Sequence, residues 1–334
     1  MKLTKELLWS FTLTSLLLSC GILQWEDDGG YIPPTEYINE VWLFDIASAM
    51  DGKIADGFFP RFSGDNQSIL YLQRSGESNT VLKKMSVSNQ MIETLTPAML
   101  RLNTFDICYE SNQLVFNANT FKHRDQDIFV FDLTSNILKN VTQTIDIFES
   151  DAHFINHGQY IAYRGYDFIA RMGVRGQEII LDHLSSGSFT FVRLSASGTK
   201  LVLIQHPGES LRIVDLIDTA RDTVIEFSGS SYTLSPMKDE LYYRYGGPHL
   251  LDLNTFERYE LNFEYAYDVT FSPDGRFLVY LDSHYNLCLY DMENRAERIL
   301  LSREKNADYN IQSMAISPDN KLVAYERYFE RLLE

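Results

Sequence analysis

The chain repeats a phrase. At 271–282 it reads FSPDGRFLVYLD: an apolar residue, a turn of Ser, Pro, Asp and Gly, then an apolar run. Versions of it begin at Phe62, Ile107, Phe154, Leu194, Leu234, Phe271 and Ile316, spaced 45, 47, 40, 40, 37 and 45 residues apart. Turn-forming residues fill the middle of nearly every copy, as a strand–turn–strand connection needs. A sustained period constrains the chain more than any single motif does. Each unit must be a supersecondary element that buries its faces against the next one.

A second phrase interleaves with the first, a short apolar run ending in Asp. It occurs as VWLFD (41–45), IFVFD (128–132), IILD (179–182), LRIVD (211–215), LLD (250–252) and LCLYD (287–291), and LKKMS (82–86) fills the remaining slot. Each unit is thus predicted to hold an inner strand, a turn, a second strand, a third strand ending in Asp, and a short fourth strand such as MIETLT (91–96) or AERILL (296–301). Four strands in about 40–50 residues make a β-propeller blade. The runs lack the 3.6-residue period that helical repeats would show. The repeated aspartates, Asp45, Asp132, Asp182, Asp215, Asp252 and Asp291, are read as structural acceptors for the turn that follows each of them.

The order of phrases at the two ends matters. The chain starts on a third-strand phrase, VWLFD, and closes on an inner pair, SMAISPDNKLVAYERY (313–328). Pairing these two halves completes one blade and closes the ring, which removes the open sheet edges. The expected fold is all-β: a propeller of seven four-stranded blades spanning residues 38–334. Six blades is the alternative, should the irregular segment near 163–192 fail to form one.

The turns SPDG (272–275) and SPDN (317–320), with the partial SP at 235–236, resemble the repeats of TolB-type propellers, relatives of the WD repeats. The resemblance covers residues 60–328. It implies scaffold and recognition roles more often than catalysis. Two features depart from TolB itself. TolB carries a further domain before its propeller, for which the linker here leaves no room, and it is soluble in the periplasm, whereas this chain is expected to be anchored.

That anchor is predicted from residues 1–19. Lys2 and Lys5 precede an apolar stretch, LLWSFTLTSLLL (7–18), that is short for a membrane span. The sequence LLSCG (17–21) then resembles a bacterial lipoprotein signal, which implies cleavage before Cys20 and lipidation of its thiol. Gly21 is not an inner-membrane retention signal, so an outer membrane is expected where the cell has two. Residues 20–37, rich in Gly, Pro and acids, read as a flexible tether.

With 46 acidic and 29 basic residues the chain carries a formal charge of −17. That balance argues against nucleic-acid binding, which needs a basic footprint. No nucleophile elbow, P-loop or dinucleotide fingerprint occurs, so no cofactor is expected and the chain is read as non-catalytic. Cys108 and Cys288 fall in different blades, too far apart for a disulfide. Asp151, His153 and His157 lie close in sequence, but the two histidines are about 12 Å apart along a strand at 3.3 Å per residue, too far to share a metal. No metal site is assigned.

A propeller also predicts a recognition surface. The first residues of the inner strands ring one mouth of the channel: Phe59, Thr104, Asp151, Phe191, Ser231, Asp268 and Ser313. Tyr232, Tyr265 and Tyr267 are placed beside them. Asp151, Asp268 and these three tyrosines are the candidate partner-binding residues, suited to a basic peptide or loop. The expected protein is a monomeric, lipid-anchored envelope module that binds a protein or peptide. Alternatives are a carbohydrate-binding or glycan- or peptide-processing propeller using the same mouth, and a purely structural envelope lipoprotein.

Overall fold

The computed structural model describes residues 35–332, apart from 77–78, 120–125, 145–146, 174–175, 182–188, 206–209, 219–222, 227–231 and 305–306. Cys20, the signal segment 1–19, most of the tether, Asp182 and Ser231 lie outside the described residues. All the described regular structure is strand, and it forms seven four-stranded antiparallel blades. The first inner strand is Phe58–Phe62; those of the next five blades are Phe105–Cys108, Ser150–Ile155, Phe189–Leu194, Tyr232–Leu234 and Tyr267–Phe271. The seventh blade is built from both ends of the propeller unit Ile38–Phe329. Its strand order is Tyr309–Ile316, Leu322–Leu332, Thr35–Asp45, Met50–Asp56, so the N-terminal segment supplies the third and fourth strands. Ile46 N donates to Lys321 O across this closure at 2.9 Å.

The middle strands are apolar on both faces because each blade is covered on both sides. Leu278, Val279, Tyr280 and Leu281 are all essentially out of solvent. Strand alternation sends Leu278 and Tyr280 to the seam with blade five, and Val279 and Leu281 to the seam with blade seven. Seven such apolar clusters occur among the described residues, one for each seam of the ring. The closing seam joins Val41, Ala315 and Ala324 to Phe62, Ile69 and Tyr71.

The turn phrase has a physical basis. Ser63, Ser195, Ser272 and Ser317 are buried, and each Oγ accepts the backbone N–H five residues on, from Ser68, Lys200, Phe277 and Leu322, at 2.9–3.2 Å. The hydroxyl bridges the turn that its own backbone N–H closes. The third-strand aspartates act as expected where described. Oδ1 of Asp45, Asp132, Asp215, Asp252 and Asp291 accepts two successive backbone N–H groups at 2.7–3.1 Å. The Ser48 N–H at Asp45, and that of Ser135 at Asp132, hold these carboxyls below their ordinary value.

Blade three is complete, which excludes the six-blade alternative, but its strands are not where the phrases put them. IILD was expected as its third strand. The third strand is instead Ile169–Gly173, and Gly176–Leu181 is the fourth. A tight turn in which Gly165 N donates to Phe168 O brings the third strand in early. Residues 179–181 of the phrase therefore belong to the outer edge.

Candidate functional site

Each inner strand runs from the mouth towards the Ser-Pro-Asp turns, so its first residues converge although they are far apart in sequence. The backbone there is not regular. Phe59, Asp151, Asp268 and Ser313 have φ of 55°, 57°, 46° and 42°, in the left-handed region. At each of them the pairing with the second strand slips by one residue. This is a β-bulge repeated round the ring. It bends the strand and re-aims the side chain, at roughly 1–3 kcal/mol for a residue bearing a Cβ. Thr104 lacks this conformation, and the side chain of Phe191 lies outside the described residues.

Two chambers open on the axis. The mouth chamber, about 870 Å³, is lined by Phe58, Phe59, Asp268, Tyr285, Ser313 and Glu326 among others. The deeper one, about 510 Å³, includes Asp106, His153, Arg193 and Tyr232 and reaches the turn residues Pro236 and Pro273. Phe59, Arg61, Thr233 and Thr270 line both.

The predicted residues divide between these surroundings. Asp268 lines the mouth chamber, where its exposed carboxyl is hemmed in by the walls; that partial desolvation raises its pKa. Asp151 lines neither chamber, and its carbonyl accepts from Arg193 Nη1 at 2.8 Å and His153 Nδ1 at 2.9 Å. Tyr232 lies in an inner strand, half-buried against the seam between blades four and five, and burial raises its pKa. Tyr265 and Tyr267 lie in a continuous row. Their ring centroids are 4.7 Å apart, and Tyr267 stacks on Tyr285 at 5.4 Å with the planes 3° from parallel. Arg244 covers Tyr265 at 4.1 Å and Arg303 covers Tyr285 at 5.3 Å. The row's ends are thus capped by the protein's own cations.

His153 is buried, and both ring nitrogens serve the backbone: Nδ1 donates to Asp151 O and Nε2 accepts Leu194 N–H at 3.1 Å. Burial first, and Arg193 second, push its pKa down to about 3, so it is neutral. His157 pairs instead with Glu110 at 3.2 Å. Cys108 and Cys288 are buried free thiols.

Sequence reading missed Arg61, Arg244, Tyr285 and Arg303. Tyr285 could have been found, because the turn between second and third strands returns to the mouth end of every blade.

No family model matches the chain, and no curated protein does. Solved structures do. TolB from Acinetobacter baumannii is 17% identical with a TM-score of 0.48; the match covers 84% of this chain and 66% of that one. A protein assigned as a TolB of Agrobacterium tumefaciens is 15% identical at 0.49, over 88% and 99% of the two chains. A chain of the mitotic checkpoint complex is 10% identical at 0.56, over 93% and 99%. These likenesses reach no further than the fold: the chain is a seven-bladed β-propeller.

Proposed function

We propose that this chain is a non-catalytic binding module of a bacterial envelope, held to a membrane by a lipidated Cys20, which takes a protein or peptide partner at the channel mouth. The observation that carries the reading is the convergence there of Asp268 with the Tyr265–Tyr267–Tyr285 row on one face. Left-handed bulges at the ring positions support it, because such strain persists where surrounding structure over-determines it and it clusters at functional sites. The TolB-type repeat resemblance, which implies recognition, points the same way. Arg244 and Arg303 already cover faces of the row, so a basic segment of the partner would be held by the Asp268 carboxylate and by ring edges. Asp151 and Tyr232 would contact the partner from blades three and five.

Crosslinking in native cells followed by mass spectrometry tests this. The double change Asp268→Ala with Tyr267→Ala is expected to release the crosslinked partner, since truncating a well-packed interface tyrosine costs about 2 kcal/mol or more. Asp274→Ala with Arg276→Ala, on the turn face, is expected to leave the partner bound. The reverse result would place the docking face at the opposite end. Turnover of a glycan or peptide by purified protein would replace binding with catalysis.

A further inference from the structure

Arg61 stands at the waist of the channel, facing both chambers. Its Nη1 donates to oxygens without full charge: Pro60 O at 2.7 Å, Met314 O at 3.3 Å and Ser313 Oγ at 3.4 Å. The centroid of the Phe59 ring lies 4.0 Å from the guanidinium carbon. Two carboxyls are near enough to act on it, yet neither pairs with it. Asp106 accepts Phe154 N–H at 2.8 Å, and Glu326 accepts Asn39 Nδ2 at 2.5 Å and Phe59 N–H at 3.3 Å. Nε and Nη2 of Arg61 have no partner among the described residues and are not sealed from the channel.

A guanidinium cannot shed its proton to escape a recessed site, and an uncompensated charge there is costly. Its open edge carries two parallel N–H donors, spaced for the two oxygens of a carboxylate. Apolar residues lining the same chamber, Phe58, Phe59, Ile311 and Met314, suit a carbon body. We propose that the channel binds a small organic carboxylate, bidentate on the Nε–Nη2 edge of Arg61, with its apolar part against these walls. A single fork, with Asp106 and Glu326 close by, favours a monoanion over phosphate. Burial raises the pKa of both carboxyls. The carboxylate could belong to a free acid or to a peptide C-terminus, since both present the same two oxygens. This site does not depend on the partner-docking reading above.

The test is calorimetric titration of the full chain with butyrate, with acetyl-Gly-Leu, with the amide of that peptide, and with inorganic phosphate. Butyrate or the free peptide is expected to bind, whichever is tighter identifying the source. The amide and phosphate are expected to bind at least about tenfold more weakly. Arg61→Met, which keeps the stem and removes the fork, should lose the binding. Arg61→Lys, which keeps charge and lacks the fork, should weaken it about tenfold and serves if the Met variant does not fold. Arg298→Met, on the exposed fourth strand Ala296–Leu301 of blade six, should bind as wild type. Equal binding by Arg61→Met or Arg61→Lys, equal binding of acid and amide, tighter binding of phosphate, or no binding of either carboxylate up to about 10 mM would overturn the proposal.

Discussion

Glu149 is a buried carboxyl whose cost to the fold grows with pH, and its effect can be worked out. It precedes the inner strand of blade three, where its backbone N–H donates to Gln126 O at 2.9 Å. The side chain is fully buried, and neither carboxyl oxygen has a hydrogen-bond partner among the described residues. Burial, with Asp127 nearby, pushes its pKa from the ordinary 4.5 up to about 7. The folded chain therefore holds a proton that the unfolded chain releases between pH 4.5 and about pH 7. Stability from this group is fully present below pH 4.5 and is lost as pH rises through 7. At about 1.4 kcal/mol per pH unit, the loss approaches about 3 kcal/mol. Glu149→Gln is isosteric with the protonated acid and never ionises. Urea unfolding of both proteins from about pH 4.5 to about pH 8.5 should show them equal at the acid end, with the variant about 3 kcal/mol more stable at the alkaline end. All other titrating groups are shared, so the difference isolates this one. A difference that stays flat within about 0.5 kcal/mol, or that grows towards acid, would refute the reasoning.

Other outcomes are expected. A chain starting at residue 50 lacks the closing third strand with its buried Val41 and Phe44. At about 1.5–3 kcal/mol for each buried side chain, it should melt well below the full chain, and an unchanged melting temperature would rule out this closure. Ser272→Ala leaves Phe277 N–H without its acceptor at 2.9 Å and should cost about 1–2 kcal/mol by denaturant unfolding. Cys20→Ala should move the protein from the membrane to the soluble fraction and abolish palmitate labelling; retention of both would dismiss the anchor.

Architecture was legible because it rests on local chemistry that recurs. A buried serine that bridges a turn, and an aspartate that accepts two N–H groups, leave the same letters in blade after blade. Blade three escaped where a shorter turn shifted its strands against the phrase. The mouth was legible only in outline. Counting by twos along a strand puts Asp151 and His153 on one face, but the bulge between Ser150 and His153 inserts a residue and breaks the count. Nothing in a local pattern announces a left-handed Phe59 or Asp268, because the ring geometry imposes it. The tyrosine row was half seen, since Tyr265 and Tyr267 are two residues apart in sequence, whereas Arg244 and Arg303 reach it from other connections. Arg61 was invisible for the same reason: its meaning lies in Ser313 and Met314, residues of the opposite chain end.

The shared seventh blade has a consequence for how the molecule is made. Strands Thr35–Asp45 and Leu322–Leu332 are neighbours in the sheet but stand at opposite ends of the domain. Six blades can form from contacts between consecutive segments. The seventh cannot be completed until its last strand has been synthesised, and until then the first strand is paired only with Met50–Asp56 and has no neighbour on its other side. Such long-range pairing slows folding, because the entropy of bringing the ends together is lost before any contact rewards it. A nascent chain halted before residue 322 therefore presents an apolar, unpaired edge to any other chain nearby, and a second copy of this protein would offer that edge its missing strand.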